Sequence, residues 1–158
     1  MLTSEQKKVS VQTENFDVGE ETRFLSAISK EVGAINTFLG TVRDINEGDS
    51  VTTLHLEHYP GMTEKQIDAI IERSAERWSV LGAVVVHRVG DLNPGDNIVF
   101  VGIASRHRGD AFKACEYVID TLKTEATFWK REIAAGESRW LTTRQTDLET
   151  RAKWETGK

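Results

Sequence analysis

The spacing of apolar and polar residues changes period several times along the chain, and each change marks an element. Residues 8–12 alternate weakly and predict an edge strand. Residues 20–30 set Phe24, Leu25 and Ile28 at helical spacing and predict a short amphipathic helix. Residues 34–42 read as a strand with Gly40 inside it, where a glycine signals a bulge or a close backbone approach. The polar run Asp44-Ile45-Asn46-Glu47-Gly48-Asp49 has turn chemistry, and residues 51–59 read as the next strand. These two strands are expected to form a long hairpin with a mobile tip at 44–49, ended by Pro60-Gly61.

Thr63, with Gln66 three residues on, fits a capping box. Ile67, Ile70, Ile71 and Trp78 give the helix behind it one apolar stripe. Residues 83–89 form a mostly β-branched strand, and Asn93-Pro94-Gly95-Asp96 is a strong turn. Residues 97–105 are nearly all apolar, as in a central strand buried on both faces. A second long helix is expected from Gly109 or Asp110, burying Ala111, Ala114, Cys115, Val118, Ile119 and Leu122, with Lys123 at its end. Residues 128–133 return as a strand, Ala135-Gly136-Glu137 turns, and residues 138–142 make a last short strand. Strands and helices interleave while hairpins imply antiparallel pairing, so the fold class is α+β, with helices on one face of a mostly antiparallel sheet. Residues 1–145 are expected to form a single domain, and the polar tail 146–158 to be mobile.

Composition narrows the function. A chain of 158 residues with 39% hydrophobic content can bury a core without staples. A single cysteine, Cys115, allows no internal disulfide and lies in an apolar helix stripe, so packing is its expected role. No apolar run approaches a membrane span, and Met1–Ser10 lacks the apolar segment of a secretory signal, so a reduced cytoplasmic setting is expected. The net charge of −5 argues against general binding to nucleic acid or membranes.

Against that acidic background, residues 105–132 gather Arg106, His107, Arg108, Lys113, Lys123, Lys130 and Arg131. A local cationic site on an acidic body attracts a small anion, a phosphate or carboxylate, without general stickiness to polyanions. His107-Arg108 falls where a buried strand meets a helix N-terminus, where backbone N–H groups and the helix dipole favour an anion. Arg108 can fork onto a phosphate, although solvated loop charge is the plainer reading of such a pair. Lysines act as acid–base groups when an apolar wall or a neighbouring cation perturbs them, and Phe128 and Trp129 offer such a wall. Lys130 and Glu132 leave the same face of their strand, so Glu132 can orient Lys130. By pattern alone the plainer readings prevail: Lys123 as a helix C-terminal cation, Lys130–Glu132 as an exposed charged strand and Arg43 as a strand-end charge. Glu57 and His58 leave opposite strand faces and make no dyad. The four histidines, His55, His58, His87 and His107, lack metal-ligand spacing, and no Walker or dinucleotide phosphate loop is present.

Several spaced motifs occur in unbroken order over roughly residues 32–142. They are Thr37-Phe38-Leu39-Gly40-Thr41-Val42-Arg43, Leu56-Glu57-His58-Tyr59-Pro60-Gly61-Met62, His87-Arg88-Val89-Gly90, Pro94-Gly95-Asp96, His107-Arg108, and Leu122-Lys123 with Phe128-Trp129-Lys130-Arg131-Glu132. Together they resemble the large, catalytic subunit of molybdopterin synthase. The resemblance implies an α/β hammerhead-type fold with an added small antiparallel subdomain. It implies a sulfurtransferase that makes the molybdopterin dithiolene from cyclic pyranopterin monophosphate, in molybdenum cofactor biosynthesis. The sulfur would come as a thiocarboxylate on the C-terminal Gly-Gly tail of a small ubiquitin-like subunit, in a heterotetramer built on a homodimer of this chain. No cofactor or metal is implied. Carried over by motif, Thr41, Val42, Arg43, His107, Arg108, Lys123, Lys130, Arg131 and Glu132 fall on substrate-pocket positions, with Lys123 and Lys130 catalytic. His107 and Arg108 can serve the neighbouring subunit's pocket. Asp110 would either cap a helix or place a negative charge in the site.

Other readings use the same cations. A non-catalytic adaptor for the carboxylate tail of a protein partner needs only charge, so it predicts that arginine replaces the lysines freely. A nucleotide- or RNA-binding protein would use Phe128 and Trp129, but the overall acidity opposes it. A homologue that has lost activity would keep the same motifs.

Overall fold

The computed structural model describes residues 1–46, 49–50, 53–134, 137–141 and 145–156. In chain order the elements are β1 (Lys7–Gln12), α1 (Val18–Ser26), β2 (Ala34–Thr41), β3 (Ile45–Asn46), β4 (Asp49–Ser50), β5 (Thr53–His58), α2 (Met62–Arg77) and β6 (Val80–Arg88). Then come β7 (Gly90–Leu92), β8 (Asn97–Ser105), α3 (Arg108–Glu125), β9 (Phe128–Ala134), β10 (Glu137–Leu141) and α4 (Gln145–Thr156).

One sheet has the order β1-β6-β8-β2. Its strands pair antiparallel except β1, which lies at the edge parallel to β6. The apolar run of β8 occupies an interior position, as its pattern requires, and from Val99 to Ser105 every residue is buried. One face of this sheet packs Val85, Val101 and Ile103 against Ile67, Ile70 and Ile71 of α2 and Val118 and Leu122 of α3. The opposite face packs Val84, Val86, Phe100 and Ala104 against Leu25 of α1. Helices therefore cover both faces, a correction to the one-sided layer expected. A short helix with three apolar positions suffices to cover the second face, and its own periodicity does not say which face it takes.

The second sheet, β10-β9-β5-β7, is wholly antiparallel. It corrects the expected hairpin: β2 pairs with β8, whereas β5 pairs with β7 and β9. Alternation fixes that a strand exists and which side is apolar, and tertiary packing chooses its neighbour. The expected tip at 44–49 carries the β3–β4 pair, with 47–48 outside the described residues, as is the expected turn at 135–136. Val42, Leu54, Leu56, Val89 and Leu92 form a small core where the two sheets meet.

Local signals set the boundaries. Asp17 starts α1 early because its Oδ1 accepts from Glu20 N at 3.0 Å. Gly40 sits at a register shift in β2, and a Cβ there would come within 2.8 Å of Val99 Cγ1, so the bulge needs a glycine. In the turn before β8, Gly95 takes φ +92° and Asp96 N donates to Asn93 O at 2.9 Å.

The start of α2 differs from the expected box. Glu64 Oε1 accepts from Gly61 N at 3.1 Å and closes the helix start, leaving Thr63 and Gln66 for another task. Thr63 Oγ1 accepts from Tyr59 N and donates to Thr127 O, both at 2.9 Å, while Gln66 Oε1 accepts from Thr127 N at 2.8 Å. Both thereby pin the chain at Thr127, midway between Lys123 and Lys130.

Residues 145–156, which include most of the polar tail, form the helix α4 and pack on α3. The indole of Trp154 meets Trp78 and Tyr117 edge-on, each at 5.6 Å, and its Nε1 donates to Asp120 Oδ2 at 2.7 Å. Arg151 pairs with Glu125 at 2.5 Å. The segment has almost no apolar stripe of its own, so only this docking holds it. Trp154→Ala is expected to cost about 2–3 kcal/mol in urea unfolding, since it removes two aromatic contacts and a hydrogen bond.

Candidate active site

A cavity of about 320 Å³ opens where the two sheets meet the C-terminal end of α3. The β2 bulge supplies Thr41 and the segment after it Val42 and Arg43; α3 supplies Lys123; β9 supplies Phe128, Lys130 and Glu132. Leu141 of β10 and Asp147 of α4 close the rim. Arg43, Lys123 and Lys130 face Glu132 and Asp147, a cationic excess at the mouth of an otherwise acidic chain. Glu132 is only 5% exposed and belongs to the cavity wall rather than the outer surface.

Of the nine positions carried over by motif, six line this cavity: Thr41, Val42, Arg43, Lys123, Lys130 and Glu132. Arg131 does not. Adjacent residues of a strand point to opposite faces, and its guanidinium lies 5.2 Å from the Trp140 ring. His107 and Arg108 do not line the cavity either. They are exposed at the N-terminus of α3, and the helical rise puts them roughly 20 Å from Lys123. Asp110 neither caps that end nor reaches the cavity; its Oδ2 accepts from Ser79 N at 2.8 Å and ties α3 to the start of β6.

Two titratable lining residues, His87 and Asp147, lay outside the candidate site positions. Asp147 had no signal, because the tail was not expected to fold. His87 had a weak one: a polar residue near the end of a strand otherwise apolar. It is buried, stacked on Phe128 with ring centroids 3.9 Å apart and planes 19° from parallel. Its Nδ1 donates to Arg88 O at 2.8 Å. Burial, then the nearby Lys130 and Lys123 charges, push its pKa down to about 4 against the one favourable backbone bond.

The sign of the linkage follows directly. Below about pH 6.5 the unfolded chain protonates His87 while the folded chain resists until about pH 4, so the unfolded state binds more protons in that window. Stability is expected to fall by about 3 kcal/mol across it as pH drops, and His87→Gln to lack that portion of the loss. Urea titrations at several pH values check this. His55 titrates in the opposite sense, held above its usual value first by Asp91 at 2.6 Å, but it is present in both chains and cancels.

Other titratable groups are structural. His55 also meets Glu57 Oε1 at 3.1 Å, so Glu57 serves His55 and not His58. Cys115 is buried with its thiol pushed up to about 12 by desolvation, unfit as a nucleophile and in the core as its spacing predicted. No helix among the described residues is long and apolar enough to cross a membrane.

Fold and cavity together define an α+β subunit with a partly enclosed pocket lined by Arg43, Lys123, Lys130, Glu132 and Asp147. A family model described as "MoaE protein" matches residues 11–125. The molybdopterin synthase catalytic subunit of Ralstonia nicotianae is 49% identical over 92% of this chain and 83% of its own length. The molybdopterin biosynthesis MoaE protein of Burkholderia ambifaria superposes with TM-score 0.83 at 44% identity, covering 96% of this chain and 99% of that one. A complex of subunits 1 and 2 of the molybdopterin-converting factor from Helicobacter pylori shares the fold, with TM-score 0.71 at 19% identity over 86% of this chain and 91% of that one. The chain belongs to the MoaE family, whose relatives carry the name molybdopterin synthase catalytic subunit.

Proposed function

We propose that this chain is the catalytic subunit of a molybdopterin synthase. It transfers sulfur from the C-terminal thiocarboxylate of a small ubiquitin-like subunit to cyclic pyranopterin monophosphate, in the cytoplasm. The observation that carries the reading is the meeting of Lys123 and Lys130 across one cavity with Arg43 at its edge. Both ligands are anions, and a partly enclosed site strengthens their attraction to fixed cations. Arg43 holds the phosphate through its planar fork. Lys123 and Lys130 stabilise the charge that develops as sulfur attacks, and exchange protons with it. Glu132 orients Lys130 from the same strand face. The clasp at Thr127 sets the separation of the two lysines. Since sulfur arrives from outside, the inert Cys115 is no obstacle.

His107 and Arg108 lie too far from this cavity to serve it in the same chain, so in this reading they complete the pocket of a second copy. The edge strand β2 exposes Phe38 and Leu39, a surface that a homodimer would cover. Two small subunits then complete a heterotetramer. The test mixes the purified chain with thiocarboxylated partner and pterin precursor and follows dithiolene by mass spectrometry. Dithiolene formation that depends on this chain supports the reading; its absence with both co-substrates present refutes it.

A further inference from the structure

Cations alone select poorly. Arg43, Lys123 and Lys130 would hold sulfate or any organic phosphate as readily as the intended ligand. Selectivity for a heterocycle needs a group that reads something besides charge. The carboxylates of Glu132 and Asp147 accept hydrogen bonds, but they also repel the anion. His87 is different. A carbonyl oxygen can only accept, so Nδ1, 2.8 Å from Arg88 O, carries the ring proton. The neutral ring therefore keeps a lone pair on Nε2. The stack on Phe128 at 3.9 Å fixes the ring plane, and His87 lines the cavity between β6 and the two lysines. Burial beside two ammonium groups keeps the ring an acceptor at neutral pH.

We propose that His87 is a specificity-determining residue of this cavity: its Nε2 accepts a hydrogen bond from an N–H or O–H donor of the bound phosphorylated heterocycle. This inference rests on the sulfur-transfer reading and adds how that substrate is told apart from other anions. The two ring nitrogens can be separated by substitution. Asparagine can reproduce the Nδ1 bond to Arg88 O but has nothing at Nε2, whereas glutamine can place an amide oxygen near the Nε2 position.

Calorimetric titration of the full chain with cyclic pyranopterin monophosphate and, separately, with sulfate tests the proposal, since sulfate has no proton to donate. His87→Asn is expected to bind the pterin about tenfold more weakly with sulfate affinity unchanged, and His87→Gln to recover most of the loss. If the asparagine variant does not fold, His87→Phe keeps the ring stack and is expected to show the same selective loss. Equal weakening toward pterin and sulfate would assign His87 a merely structural role and overturn the proposal, as would wild-type pterin affinity in the variant. A wild-type chain that takes sulfate but not the pterin would sink the sulfur-transfer reading, and His87's role with it.

Discussion

Replacing Lys123 by alanine is expected to lower dithiolene formation by about a thousandfold, the scale on which a single transition-state charge stabiliser acts. The fold should survive. Lys123 is exposed in the last turn of α3, where its contribution to helix stability is about 0.3–1 kcal/mol. Arginine at this position is the sharper probe. It keeps the charge and suits the dipole equally well, but it does not give up a proton near neutral pH. An enzyme that moves protons through Lys123 loses turnover in Lys123→Arg; an adaptor that only attracts a carboxylate tail does not. Single-turnover assays with thiocarboxylated partner, alongside a partner-docking measurement, separate the two. Near-normal turnover by Lys123→Ala would remove this residue from the mechanism.

Phe100→Ala is expected to cost about 3–5 kcal/mol of stability, the largest folding effect of any single change considered. Phe100 is completely buried in β8, with its ring 6.2 Å from that of Phe16 and packed among Leu25, Val84, Val86 and Ala104. The neighbouring Gly102 leaves room for the ring: a Cβ there would lie 3.0 Å from Phe100 Cε1 and 2.5 Å from Leu25 Cδ1. Removing the ring opens a cavity in the layer between the sheet and α1. Phe100 belongs to the sheet face opposite α3 and does not line the cavity, so the folded fraction should retain its turnover. Chemical denaturation measures the first statement, and activity per folded molecule at low temperature the second.

The alternation and helical spacing of apolar residues located the longer strands and three of the four helices, because burial of one face is written locally in the period. The run at 97–105 and the turn at 93–96 needed no tertiary information. The motif residues Lys123, Lys130, Glu132 and Arg43 were visible as cations and a carboxylate in suggestive order, but by pattern alone the ordinary surface reading of each prevailed. Packing decided between those readings for position, by bringing the end of α3, the β2 bulge and β9 around one cavity. Packing placed Arg131 on the other face of β9, beside Trp140, since neighbours on a strand leave opposite faces.

What the chain order could not contain is the set of contacts between distant segments. β2 and β5 pair in different sheets because the apolar faces available to each lie far away in sequence. α4 carries no apolar stripe to announce it, and the contacts of Trp154 with Trp78 and Tyr117 that dock it are made across distant segments. His87 looks like any other histidine until burial, a carbonyl partner and two lysines fix which nitrogen carries its proton. Periodicity is a property of neighbours along the chain, whereas a protonation state and a cavity are properties of neighbours in space, and only the folded structure supplies those.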